Sequence, residues 1–220
     1  EELRNRNLPP LEPVEDSVAF EKMAHARLEA FVTFLVARQI IPDKPYLAAA
    51  LTPQVARFVP KDKRVFFNRV TQREPMLLLS HDYHWIDLAR MRDEPNASQI
   101  RRVPSLSNIW DTRAEGFATA FEEILMHAGL DDDNPRAREL VWVMLANRAA
   151  RGLASLYVQA NVFTLEQAGR FQAEWTPRGW ANATDDLTAF EQLLYRRQPG
   201  YGTSYITGKI QFDQLMTQYE

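Results

Sequence analysis

The chain has 220 residues, 45% of them hydrophobic and 25% charged, which is close to the balance of an ordinary globular chain and enough for a sizeable core. A formal net charge of -3 lacks the basic excess that nucleic acid or an anionic membrane surface calls for, so neither is expected as a partner. The absence of cysteine excludes disulfides, thiolate zinc sites and cysteine nucleophiles.

Residues 1–15 are polar and Pro-rich and read as an extended lead-in. The opening "EELRNRNLPP" carries no Met and looks like an internal cut, and the closing "FDQLMTQYE" stops inside a helical pattern. Further residues are therefore expected beyond both ends. From Asp16 the apolar residues Phe20, Met23, Leu28, Phe31, Phe34 and Leu35 recur at helical spacing through Ala37. Pro42 and Pro45 break the pattern, and "RVFFNRV", at 64–70, is the one good candidate for a short strand or extended piece.

Leu77 to Met91 reads as one apolar helix, and "RDEPNASQIRRVPSLSNIWD" as a long loop with two prolines. A helix is predicted from Thr112 to His127, closed by Gly129. The next opens with Asp133 or Asn134 as N-cap and Pro135 as first helical residue, and runs to about Asn161. Thr164-Leu165-Glu166-Gln167 spells a capping box. Another helix starts at Asp185 or Asp186 and ends near Arg197, and the glycine cluster "QPGYGTSYITGK" leads into the last. No stretch approaches the roughly 20 apolar residues of a membrane span. The expectation is a mainly α fold, with residues 16–220 as a single domain of about seven helices and little or no sheet. Such a chain would be soluble and suits cytoplasm or periplasm alike.

Chemistry concentrates in four places. "SHDYHW" holds His81 and His84, three apart and hence on one face of a helix. Such a pair can share a metal, although helical zinc motifs space their histidines by four; it can equally be two polar residues bonded to neighbours in a half-buried helix. Glu115, in "TRAEGFATAFEE", is the best third ligand, or else a first-turn acid favoured by the helix dipole. Glu122 lies seven residues on, on the same face. Arg148 and Arg151 sit in a Val-, Leu- and Ala-rich helix, where a buried guanidinium needs a carboxylate; one of them holds Glu122 or binds a substrate carboxylate. Tyr201 and Tyr205 flank the glycine-rich turn, placed either to donate to a developing oxyanion or simply to pack at a helix start.

The order of these pieces resembles the bacterial family called domain of unknown function 885, whose members look like helical zinc metallopeptidases. "HDYHW" stands where that family has H-E-x-x-P-G-H-H, and "EGFATAFEE" matches its E-G-W-A-x-x-x-E helix. Arg151, "TLEQA" from Thr164 and "PGYGTSYITGK" from Pro199 keep its spacing, so that the resemblance covers residues 75–220. The Pro-Gly turn is missing, Asp82 replaces the Glu, Tyr201 replaces the Gln after Pro-Gly, and Ser155 and Gln159 stand where the family has Asp and His. The resemblance implies a zinc-dependent hydrolase acting on a peptide or small-molecule substrate. His81, His84 and Glu115 would be the metal ligands, Asp82 the base, Tyr205 the oxyanion donor, and Arg151 and Tyr201 the substrate-binding groups. The alternative is a non-catalytic helical domain that keeps the scaffold and binds a small molecule or a protein; a third reading makes the chain one piece of a larger enzyme. A metal site requires Glu115 within a few ångströms of both imidazoles.

Overall fold

The protein is described by a computed structural model covering residues 4–102 and 108–219. Its helices are α1 (Ser17–Ala37), α2 (Pro45–Leu51), α3 (Phe66–Thr71), α4 (Met76–His81), α5 (Tyr83–Asp93), α6 (Gln99–Arg102), α7 (Asn108–His127), α8 (Ala137–Gln159), α9 (Leu165–Trp175), α10 (Asp186–Arg197) and α11 (Tyr201–Met216). Among the described residues there is no strand, and the domain is all-α. The expected seven helices correspond to the seven that reach eleven residues or more: α1, α5, α7, α8, α9, α10 and α11. No described helix is long and apolar enough to cross a membrane.

Local signals place most of the ends. Asp16 caps α1 by accepting from the Ala19 amide at 2.7 Å. The Thr164 box closes in both directions, with the Gln167 amide donating to Thr164 Oγ1 at 3.1 Å and the Thr164 amide to Gln167 Oε1 at 2.8 Å. Gly129 ends α7 with a φ of 97°.

Four expectations are corrected. "RVFFNRV" is not a strand: it enters α3, where Phe66 and Val70, one turn apart, are both buried and Asn68 Oδ1 accepts from the Val65 amide at 3.2 Å. The Leu77–Met91 helix is broken at Asp82, whose ψ of 4° is far from helical, into α4 and α5. The helix predicted at Pro135 begins instead at Ala137, because the Asn134 side chain donates to Glu74 Oε2 at 3.2 Å instead of capping. The predicted loop contains α6 and the start of α7; its second proline, Pro104, lies outside the described residues.

The lead-in is extended only in part: residues 4–7 form a turn in which the Leu8 amide donates to the Asn5 carbonyl at 2.8 Å, residues 9–16 carry no helix or strand, and the segment is tied to the helices. Asn5 donates to the Pro135 carbonyl at 2.7 Å and to Glu139 at 3.0 Å, and Arg136 donates to the carbonyls of Leu8 and Pro9. One apolar cluster joins α1, α2, α4, α5 and α7 through Phe31, Leu35, Leu47, Leu79, Ile86 and Leu125. A second joins α3, α4, α7 and α8 through Phe66, Val70, Leu77, Met126 and Met144. Helices α4 and α7 contribute to both, and they carry His81 and Glu115.

The turn between α7 and α8 buries Asp131, and no side chain among the described residues hydrogen-bonds to its carboxyl. Burial, reinforced by the nearby Glu74 charge, raises that carboxyl from 3.8 to about 7. A raised carboxyl favours folding while it stays protonated, so its contribution is complete below pH 3.8, falls as pH rises, and is gone above about 7. Asp131→Asn should remove that slope and stabilise the fold above pH 7 by at most about 4 kcal/mol, taking about 1.4 kcal/mol for each pH unit of the gap. Urea unfolding of both proteins at pH 5 and pH 8 checks this; equal stability differences at the two pH values would sink it.

Candidate functional site

The break at Asp82 decides the geometry of the histidine pair. His81 ends α4 and His84 lies in the first turn of α5, and their rings meet edge to face with centroids 5.4 Å apart. Helix α7 brings Glu115 to them: Glu115 Oε2 lies 3.1 Å from His81 Nε2. One ligand atom from each of His81, His84 and Glu115 falls within 4.8 Å of the others. Bonds of 2.0–2.2 Å in a tetrahedral arrangement put ligand atoms about 3.4 Å apart, so side-chain rotation of about an ångström would bring the three around one zinc ion. The donor set, two imidazoles and a carboxylate, is one that catalytic zinc uses.

Behind His81 stands Glu122, one of the most buried acids in the chain. Its Oε1 is 3.2 Å from His81 Nδ1, an ion-pair separation not aligned as a hydrogen bond. Arg148 donates to both Glu122 oxygens, at 2.5 and 2.7 Å. The seven-residue spacing of Glu115 and Glu122 thus puts a carboxylate on each ring nitrogen of His81. Arg148 takes the Glu122 partnership, as the sequence allowed, and Arg151 is paired with Glu191 of α10.

Gly200, with a φ of 91°, turns the chain from α10 into α11. Tyr201 then donates to Glu115 Oε1 at 2.6 Å, leaving Oε2 facing His81. The Tyr205 ring stacks on His81 at 6.0 Å between centroids, with the Arg151 guanidinium 4.5 Å from its own centroid. Both tyrosines therefore face the histidine–glutamate cluster. Asp82 sits at the α4–α5 break, buried and close enough to feel the charges of His81, Glu122 and Glu115, but it is not among the residues lining the cavity that His81, His84, Glu115, Arg151, Tyr201 and Tyr205 share.

The electrostatics follow from burial and pairing. Burial pushes the Glu115 carboxyl up, but the hydrogen bond and charge of His81 outweigh it and hold Glu115 at about 2. Burial and the Arg148 charge lower the His81 imidazole, yet Glu115 and Glu122 together leave it raised. His84 is brought down to about 4, by burial first and by His81 second, so it is neutral at pH 7 with a lone pair to offer. Asp82 rises to about 7 through burial.

Sequence reasoning missed the wall that closes the cavity. Helix α10 supplies Leu187, Phe190, Glu191, Leu194 and Tyr195, and α3 supplies Phe67. The signal was the i, i+3, i+7 spacing of Leu187, Phe190 and Leu194 behind the Asp185 cap. No family model, no curated protein and no solved structure matches this chain.

Proposed function

We propose that the protein is a zinc-dependent hydrolase of peptide-like bonds and a divergent relative of the family called domain of unknown function 885. The observation that carries this reading is the convergence of His81, His84 and Glu115 to within 4.8 Å at the edge of a cavity. Zinc held there would lower the pKa of a coordinated water to about 7 and polarise a substrate carbonyl. The chain's own groups would do the rest. Glu122, fixed by Arg148, lies 3.2 Å from His81 Nδ1, where a small ring rotation would let it accept the N–H as the carboxylates behind zinc-ligating histidines do. Tyr201 fixes the rotamer of Glu115, and Tyr205, above His81, is the donor for charge developing on the carbonyl oxygen. Arg151 lines the cavity but is held by Glu191, so it would shape the substrate site as a wall group and not as a free counter-charge. Asp82 has a carboxyl suited to proton transfer near neutral pH. Because it lies outside the cavity lining, its role as base is supported by the resemblance and not by position.

One observation favours a second reading, a binding domain without catalysis. His81 already has a carboxylate beside each ring nitrogen, so an imidazolium there is charge-balanced between two carboxylates without any metal. Metal content separates the two. Chelator-stripped protein titrated with zinc should take up one ion per chain, and His81→Ala should take up none while its circular dichroism stays helical. Peptide hydrolysis should be weak, should require the metal and should vanish in His81→Ala. Failure of the wild type to bind zinc stoichiometrically, or cleavage at an equal rate by metal-free folded protein, would overturn the hydrolase reading.

A further inference from the structure

The cavity beside the cluster has a volume of about 310 Å³, roughly the liquid volume of ten waters and enough for a side chain with its peptide unit. One wall is apolar: Phe67 of α3, Leu78 of α4, and Leu187, Phe190 and Leu194 of α10. Phe190 is 62% exposed, an unusual state for a phenylalanine that lines a cavity. The rest of the lining carries charge, but each charge is already matched. Arg148 is held by both Glu122 oxygens, and Arg151 by Glu191. The second oxygen of Glu191 accepts from Gln172 Nε2 at 2.7 Å. Glu115 is engaged by His81 and Tyr201. The Nε atoms of Arg148 and Arg151 lack acceptors, but both are sealed from solvent and out of reach of an occupant. A charged substituent entering this space would lose its hydration and find no free counter-charge. A neutral apolar one would remove Phe190, Leu187 and Leu194 from water at no such cost.

We propose that this cavity is the subsite for an uncharged apolar side group of the substrate, aromatic or branched aliphatic, seated between α3 and α10 beside His81 and His84. The inference deepens the hydrolase reading, on which its use of the word substrate rests. Its test is a binding measurement that needs no metal and no turnover. Chelator-treated protein is titrated with N-acetyl-phenylalanine amide, N-acetyl-aspartate amide and N-acetyl-lysine amide, with binding followed by NMR shifts and calorimetry. The phenylalanine probe should bind at least about tenfold more tightly than either charged probe. Phe190→Ser, at an exposed position where the fold tolerates the change, should weaken it by about threefold or more. Leu153→Ser, an exposed apolar position on α8 outside the cavity, should leave it unchanged. Equal binding of a charged probe, no saturable binding of the phenylalanine probe, or an unaltered affinity in Phe190→Ser would overturn the proposal. Loss of the hydrolase reading would show separately, as absent zinc uptake with this titration intact.

Discussion

Replacing Arg148 with Met is expected to cost about 3–5 kcal/mol of stability, the penalty for breaking a buried ion pair from one side. Both partners are about 1% exposed. The Met side chain fills much of the space, so the loss is electrostatic more than steric. Glu122 would be left buried with His81 as its one remaining ion-pair partner among the described residues, and that contact is not aligned as a hydrogen bond. For a chain of this length such a loss lowers the melting temperature by roughly 10 °C. The double variant Arg148→Met/Glu122→Leu should lose less than the sum of the two single changes, because the uncompensated charge is gone. Urea unfolding of the wild type, both singles and the double gives the coupling. A loss below about 1 kcal/mol for Arg148→Met would mean that Glu122 is neutral in the folded protein, against the charge of Arg148 and the histidine contact, which hold its carboxyl low in spite of burial.

Gly208→Ala should be nearly as damaging, by at least about 2 kcal/mol. In an exposed helix the same change gains about 1 kcal/mol, so the sign itself is diagnostic. Here α11 crosses α7 with Gly208 against Gly116, and a methyl on Gly208 would fall inside the Thr112 carbonyl and the Gly116 backbone. The obstacles are backbone atoms, so no rotamer change relieves the clash and the helices must separate. A similar close approach occurs where α11 meets α8, with Gly152 over the Gly202 carbonyl at 2.7 Å from an added Cβ. Separation of α11 from α7 would also draw Tyr201 away from Glu115, so on the proposed zinc reading metal affinity should fall along with stability. Gly179→Ala serves as a contrast, since an added Cβ there meets nothing within 4 Å and the only strain comes from its φ of 62°. If Gly208→Ala proves neutral or stabilising, the close helix crossing described here is wrong.

The sequence by itself determined the all-α character, most of the long helices and the candidate residues. Apolar spacing, the Asp16 cap and the Thr164 box are local, and local physics is enough to place them. The seven-residue step from Glu115 to Glu122 was also legible, because helical geometry alone puts the two on one face. What only the tertiary structure decided is which groups meet. "RVFFNRV" has the β-branched and aromatic content of a strand, yet it is held as helix α3 by the Asn68 cap and by burial of Phe66 and Val70. The break at Asp82 leaves no mark in the apolar pattern of residues 77–91, although it sets how His81 and His84 converge. The same break leaves Asp82 outside the cavity that the sequence order assigned to it. Pairing of Arg151 with Glu191, 40 residues away, and the cavity wall from α10 depend on how α10 packs on α8 and α9, and the reach of Tyr201 to Glu115 depends on how closely α11 packs on α7 and α8. That closeness comes from glycines meeting glycines across helices, a long-range coincidence that no window of the chain contains.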